Sequence, residues 1–202
     1  MAIVAQYLVN EGNKVLIFDF DGHLGDGTEA IFYDTDQVLF WSLHQYPAFP
    51  GNGYINEIGT GKGKGFTINV PLPPGSGDDI FLKAVEEFMP IAEQFKPDVV
   101  AVSAGFDAHL YDLLLGLRVT GSSFHKIGLM LRERFSHVFA VLEGGYNLEY
   151  MPRSVFNFVA GMNGQEIPYP EDTTSSAWKI WENFDMDVQG ALAQLAPFWK
   201  LR

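Results

Sequence analysis

Apolar residues along the chain gather in short unbroken runs separated by stretches of helical spacing. KVLIFDF (14–20), VLFWSLH (38–44), FTINV (66–70), DVVAVSAG (98–105) and HVFAVLEGG (137–145) are nearly continuous in apolar residues. Strands buried on both faces read this way. DDIFLKAVEEFMPIAEQF (78–95) sets Phe81, Ala84, Val85, Phe88 and Ile91 on one stripe and predicts an amphipathic helix. SSFHKIGLMLRERF (122–135) and EYMPRSVFNFVAGM (149–162) predict two more, and residues 2–9 a short helix apolar nearly all round. TEAIFYD (28–34) reads as a helical turn, 45–65 as a long glycine-rich loop, 163–177 as a polar linker and 186–196 as a last helix. Strands alternating with helices imply an α/β fold, a mostly parallel sheet flanked by helices, in one domain with its core at 2–162. Functional groups in such sheets gather beyond the carboxyl ends of the strands. Four of those ends are polar here: DFDGHLGD, SLH, SAGFDAH and EGGYN.

Composition narrows the function classes. The 202 residues are 47 % hydrophobic, enough for one full core. Thirteen Lys and Arg against 25 Asp and Glu leave a net charge of −12, which argues against direct nucleic-acid binding, since that runs on clustered cations. The same charge suits a cationic substrate, although acidic surface is more often simply solvated. With no cysteine there are no disulfides and no thiolate metal sites. The N-terminal stretch lacks a basic n-region and no apolar run is long enough to span a bilayer, so a soluble cytoplasmic protein without a membrane partner is the expectation.

VLIFDFDGHLGDGT (15–28) carries the sharpest chemistry. Aspartates at a strand end can attack phosphate, hold a metal or cap the next helix. VLIFDFDG resembles the nucleophile motif of the haloacid dehalogenase phosphatases, but His23 stands where that motif has Thr, and the later Lys and acidic pair have no clear home at a strand end. A metal explains more residues. Along an extended chain Asp19, Asp21 and His23 share one side, so Asp21 and His23 can reach one ion with Asp19 behind them. Catalytic zinc takes three protein ligands and keeps a position open; Asp107, at another strand end, is the natural third.

DFDGHLGDGTEAIFYD, VLFWSLHQYPAFPGNG, EIGTGKGKGFTINVPLPPG, DVVAVSAGFDAH and LEGGYNL together resemble the histone deacetylase family, including its bacterial and archaeal acetoin-utilisation and acetylpolyamine relatives, over about residues 2–162. The resemblance implies an arginase/deacetylase-like fold truncated at its N-terminus. It further implies a zinc-dependent amidohydrolase acting on acyl-lysine peptides or acylated polyamines. Asp21, His23 and Asp107 match the family's zinc ligands. Tyr146 matches the tyrosine that hydrogen-bonds the scissile carbonyl, and Phe49 and Gly145 match the substrate tunnel. Asp19 and Ser42 match side chains of a buried K+ or Na+ site completed by carbonyls of Asp21, His23 and Leu43. Phe32, Thr35, Val38 and Phe66 match carbonyl donors of a second cation site. Asp26 matches the carboxylate that partners a catalytic histidine.

The match breaks at the acid–base machinery. The family moves protons with a His-His pair that lies N-terminal to everything here, and none of His23, His44, His109, His125 and His137 is adjacent to another. Leu24 replaces the second His of the family's Asp-x-His-His motif. A non-catalytic zinc-containing assembly module is therefore the alternative to an enzyme. Among the other candidates, His44 reads as a packing residue, His109 as part of the site's rim, and His125 and His137 as solvent-exposed. GTGKGKG (59–65) lacks the following Lys-Ser/Thr helix of a phosphate loop, and Asp26 alone could cap a helix. In the family the strand matching KVLIFDF pairs with one from the front third. That strand, together with residues 2–9, is therefore expected to form an open apolar edge, and self-association or pairing with a separate N-terminal piece follows.

Overall fold

A computed structural model describes residues 1–201. Five strands form one parallel sheet: β1 (Val15–Asp19), β2 (Val38–Gln45), β3 (Thr67–Leu72), β4 (Val99–Ala104) and β5 (Val138–Leu142), in the order β3-β2-β1-β4-β5. Six helices surround it: α1 (Ala2–Asn10), α2 (Asp26–Phe32), α3 (Asp78–Phe95), α4 (Gly121–Arg134), α5 (Tyr150–Met162) and α6 (Trp178–Leu195). The expected α/β class with a parallel sheet is what the chain adopts.

Period-two alternation explains the two layers. Leu16, Phe18 and Phe20 of the first strand region point into the larger core, with Leu39, Trp41, Leu43 and the apolar stripes of α3, α4, α5 and α6. Val15 and Ile17 point the other way, into a smaller cluster with Ala5 of α1, Phe32 of α2, Val38, Phe40 and Ala101. Both faces of a parallel sheet need such cover. Pro71 is accommodated in β3 because β3 is an edge strand.

Three expectations change. The first strand is not an open edge: β1 pairs with both β2 and β4 and lies at the centre of the sheet, wholly buried. The strand open to solvent is β5, which is paired only with β4 and leaves Ala140 and Leu142 exposed. The apolar face of α1 is exposed as expected, at Ile3 and Tyr7. Second, the last helix starts at Trp178 rather than near 186. The stripe Ile180, Phe184, Val188, Ala191 and Leu195 runs its whole length into the core. Third, α2 begins at Asp26, so Asp26 sits in its first turn, not before it.

Residues 163–177 are polar because they are a strap held by side-chain hydrogen bonds. Buried Asp78, at the start of α3, accepts from the N–H and hydroxyl of Thr120 (2.8 and 3.0 Å), the Ser123 hydroxyl (2.6 Å) and the N–H of Thr174 (2.8 Å). It thereby joins α3, α4 and the strap. A buried main-chain donor left without an acceptor costs about 1–3 kcal/mol. Asp78→Ala orphans two of them and is expected to lower the unfolding free energy by roughly 3 kcal/mol, read as a fall in the urea midpoint with an unchanged slope.

Candidate metal centre and active site

The carboxyl ends of β1, β4 and β5 lie side by side, and the parallel register brings Asp19 level with Ser42 and Ser103. Just beyond, the chain turns back over the strand ends. One ligand atom each from Asp21, His23 and Asp107 lies within 4.8 Å of the others. Among the described residues no other group of His, Asp or Glu converges in this way. His23 Nδ1 is 2.6 Å from Asp107 Oδ2 and 3.6 Å from Asp21 Oδ1. The remaining carboxylate lone pairs are met by the backbone. Gly22 N–H donates to Asp107 Oδ1 (2.7 Å), His23 N–H to Asp21 Oδ1 (2.9 Å) and Gly144 N–H to Asp21 Oδ2 (2.8 Å). The loops after β1, β4 and β5 are thus laced together through the site.

These contacts set the protonation. Hydrogen bonds from Asp107 and then Asp21, supported by their charges, push the His23 imidazole up to about 10 against the effect of its partial burial. Burial works against the Asp21 charge, but bonds from the His23 ring and from the N–H groups of His23 and Gly144 outweigh it and hold its pKa down. In Asp107 burial prevails and raises the pKa, opposed by the His23 bond and aided by the Asp21 charge. Behind them, fully buried Asp19 is pushed well above the carboxylate range by burial and then by Asp21. In the metal-free chain the protonated imidazole supplies the positive charge that this acidic cluster requires. One N and two O donors converging on a point, with charge that a cation would neutralise, fit zinc.

The other predicted residues divide. Tyr146 follows Gly144 by two positions, is half-exposed, and its hydroxyl makes no hydrogen bond among the described residues. Burial of the ring, then the charges of Asp107, Asp21 and Asp112, raise its pKa and keep the phenol protonated. Gly145 has φ +137°, and a side chain there would meet Met151. Ser42 and Leu43 are fully buried in β2 beside Asp19, and Asp19 Oδ1 accepts the Asp21 N–H at 3.1 Å. Phe49 is 79 % exposed. Asp26 is exposed on α2, outside the triad, with Oδ1 accepting the Gly27 N–H at 2.8 Å. His44 is a buried packing residue bonded to Ser42 Oγ and the Gly53 carbonyl. His109 is buried and bonded to Glu171 rather than lining a rim. Asp19 is also too buried to attack a phosphoryl group, which removes the phosphatase reading.

A sequence model of the histone deacetylase domain matches residues 1–162. The chain belongs to the histone deacetylase family. A "Probable deacetylase" of Archaeoglobus fulgidus is 41 % identical over 175 residues, 83 % of this chain and 49 % of the relative. A "Histone deacetylase-like amidohydrolase" of Pseudomonas aeruginosa is 38 % identical over 146 residues, 69 % of this chain and 38 % of that protein. The solved structure of the histone deacetylase Clr3 superposes with a TM-score of 0.89 at 30 % identity, covering 100 % of this chain and 35 % of that one. The arginase/deacetylase-like fold is therefore established, and this chain spans about half or less of the length of the deacetylases it matches.

Sequence reasoning passed over one ionisable group here. Glu29 of α2 is buried against Asn69, whose Nδ2 donates to Glu29 Oε1 at 3.0 Å. Burial first, then the charges of Glu57 and Asp26, lift its pKa to about 7, with the Asn69 bond opposing. Between the ordinary pKa of 4.5 and about 7 the folded chain holds a proton that the unfolded chain has released. The stabilising contribution is therefore full below pH 4.5 and is lost as pH rises through about 7. Glu29→Gln is expected to flatten this decline and to raise stability at pH 8 by about 2 kcal/mol, measured by urea unfolding at pH 5 and pH 8.

Proposed function

We propose that this protein is a zinc-dependent deacetylase-type amidohydrolase site for acyl-lysine peptides or acylated polyamines. Convergence of Asp21, His23 and Asp107, with the Tyr146 phenol close enough to feel the charges of Asp107 and Asp21, supports the reading. Asp21, His23 and Asp107 would hold the metal, which would supply Lewis-acid polarisation of an amide carbonyl and acidify water at its open position. The chain's own groups do the rest. The backbone N–H groups of Gly22, His23 and Gly144 hold the carboxylates in place. Tyr146, kept protonated, donates to the carbonyl oxygen as negative charge develops on it. Asp19, Ser42 and the Leu43 carbonyl would hold a K+ or Na+ ion behind the triad, where a cation relieves the Asp19–Asp21 repulsion.

A second reading, a non-catalytic zinc-binding module, is favoured by one observation. Among the described residues no histidine other than His23 stands at the triad: His44 is tied to Gly53, His109 to Glu171 and His125 to Gln165, and His137 precedes β5 at the opposite end of the sheet. Turnover by the chain alone is accordingly expected to be weak. Zinc titration of the metal-free chain at neutral pH is expected to release a proton, because His23 must give up the one it holds. Asp21→Asn and Asp107→Asn should each weaken uptake by about a hundredfold or more. With an acetyl-lysine peptide, Tyr146→Phe should lower whatever turnover is present by roughly two to three orders of magnitude. Zinc uptake without turnover establishes the module; no zinc uptake removes both readings.

The open apolar edge of β5 supports an assembly partner, either a second copy or a strand from a separate N-terminal piece. Its outward residues Ala140 and Leu142, the latter 55 % exposed, carry no charge that would deter pairing. Light scattering is expected to show self-association that Leu142→Lys abolishes, or a stable complex with the added piece. A wild-type chain that stays monomeric and binds no such piece overturns this.

A further inference from the structure

The position of Tyr146 is set from its main chain, because its hydroxyl makes no hydrogen bond among the described residues and its ring is half-exposed. Gly145 before it adopts φ +137°, a conformation open mainly to glycine, so the preceding link does little to restrain it. What restrains it is one carboxylate. Asp112 Oδ2 accepts the N–H of Tyr146 at 2.7 Å and the N–H of Asn147 at 3.2 Å, while Oδ1 accepts the N–H of Leu114 at 3.1 Å. Asn147 completes the bracket. Its Nδ2 donates to the Tyr111 carbonyl at 2.7 Å, and its Oδ1 accepts the N–H groups of Glu149 and Tyr150 at the entrance to α5.

Asp112 is itself well anchored. Its N–H donates to the His109 carbonyl at 2.8 Å. His109 Nδ1 accepts the Tyr111 N–H at 3.1 Å, which leaves Nε2 to donate to Glu171 Oε2, also at 3.1 Å. That same oxygen accepts the Gly121 N–H at the start of α4. The loop that carries metal ligand Asp107 therefore also carries, five residues later, the group that holds Tyr146. Metal position and donor position are linked through one rigid segment.

We propose that Asp112 is the positioning residue for Tyr146, holding its main chain so that the hydroxyl is presented to a substrate bound at Asp21, His23 and Asp107. This rests on the reading of Tyr146 as the donor to the scissile carbonyl. A charge-assisted bond to two successive amides is stronger than a neutral one, and both amides should be protected from hydrogen exchange by it.

The experiment has two arms. In the metal-free chain, amide exchange followed by NMR is expected to quicken roughly tenfold or more at Tyr146 and Asn147 in Asp112→Ala. Asp112→Asn, which keeps an acceptor oxygen, should recover most of the protection. Gly144, held by Asp21, should be unchanged, as should the melting temperature to within a few degrees. In the zinc-loaded chain, affinity for an acetyl-lysine peptide should fall about tenfold in Asp112→Ala and should not fall further when Asp112→Ala is placed on Tyr146→Phe. Unchanged exchange at Tyr146 and Asn147 overturns the proposal, and so does an equal affinity loss with and without the Tyr146 hydroxyl. A wild-type chain that takes up no zinc or peptide speaks against the deacetylase reading alone, and the exchange arm then decides.

Discussion

Three carboxylates crowd the ends of two neighbouring strands, and keeping them there is the constraint from which the rest of the site follows. Asp19, Asp21 and Asp107 are all largely buried, where like charges repel strongly and ionisation is opposed by lost hydration. The structure answers in three ways. The deepest, Asp19, is driven towards its neutral form. The middle one, Asp21, is surrounded by donors, with main-chain N–H groups from His23 and Gly144 on its two oxygens. Asp107 faces the His23 ring at 2.6 Å, a bond that favours the protonated imidazole. A divalent cation would replace that proton and supply more charge than the imidazolium does.

The glycines around the site follow from that crowding. A Cβ at Gly105 would overlap the Asp21 carboxylate, and one at Gly144 would come within 2.6 Å of Asp21 Oδ2 and 3.0 Å of Asp107 Oδ2. The loop after β4 can pass beside Asp21, and the loop after β5 can approach closely enough for Gly144 to donate its N–H to Asp21, only because nothing projects from those positions. The SAG and EGG turns are thus the space that the carboxylates occupy. Any side chain at Gly144 would press on the Asp21 carboxylate and displace one of the bonds that hold its pKa down.

The fold was legible where hydrophobic period alone decides it. Each apolar run became a strand, and the alternation within 15–20 divides between the two cores as pleating requires. Sheet order was not legible, because VFAVL of β5 is at least as apolar as VLIFD of β1. What distinguishes them is that β1 has neighbours on both sides and β5 on one. The start of α6 was missed because the polar run before Trp178 hides a stripe whose first member is Ile180. Asp21, His23 and Asp107 could be named because they stand in recognisable motifs. The bonds that hold Tyr146 and the loop behind it, Asp112 to Tyr146 and His109 to Glu171, join positions 34 and 62 residues apart with no periodic signature.

The same geometry locates what the proposed chemistry lacks. A metal site and a hydroxyl donor can polarise an amide, but water attack and departure of the amine also require a group that takes and returns a proton. Every described histidine away from the triad is occupied or remote, and on the proposed reading Asp21 and Asp107 would be taken up by the metal. The sheet offers one place for such a group. A strand added in parallel to β5 would run towards Leu142, the end from which Glu143–Tyr146 continue into the site. On the proposed reading, a partner strand at the exposed β5 edge would approach the same carboxyl-end loops that carry the site.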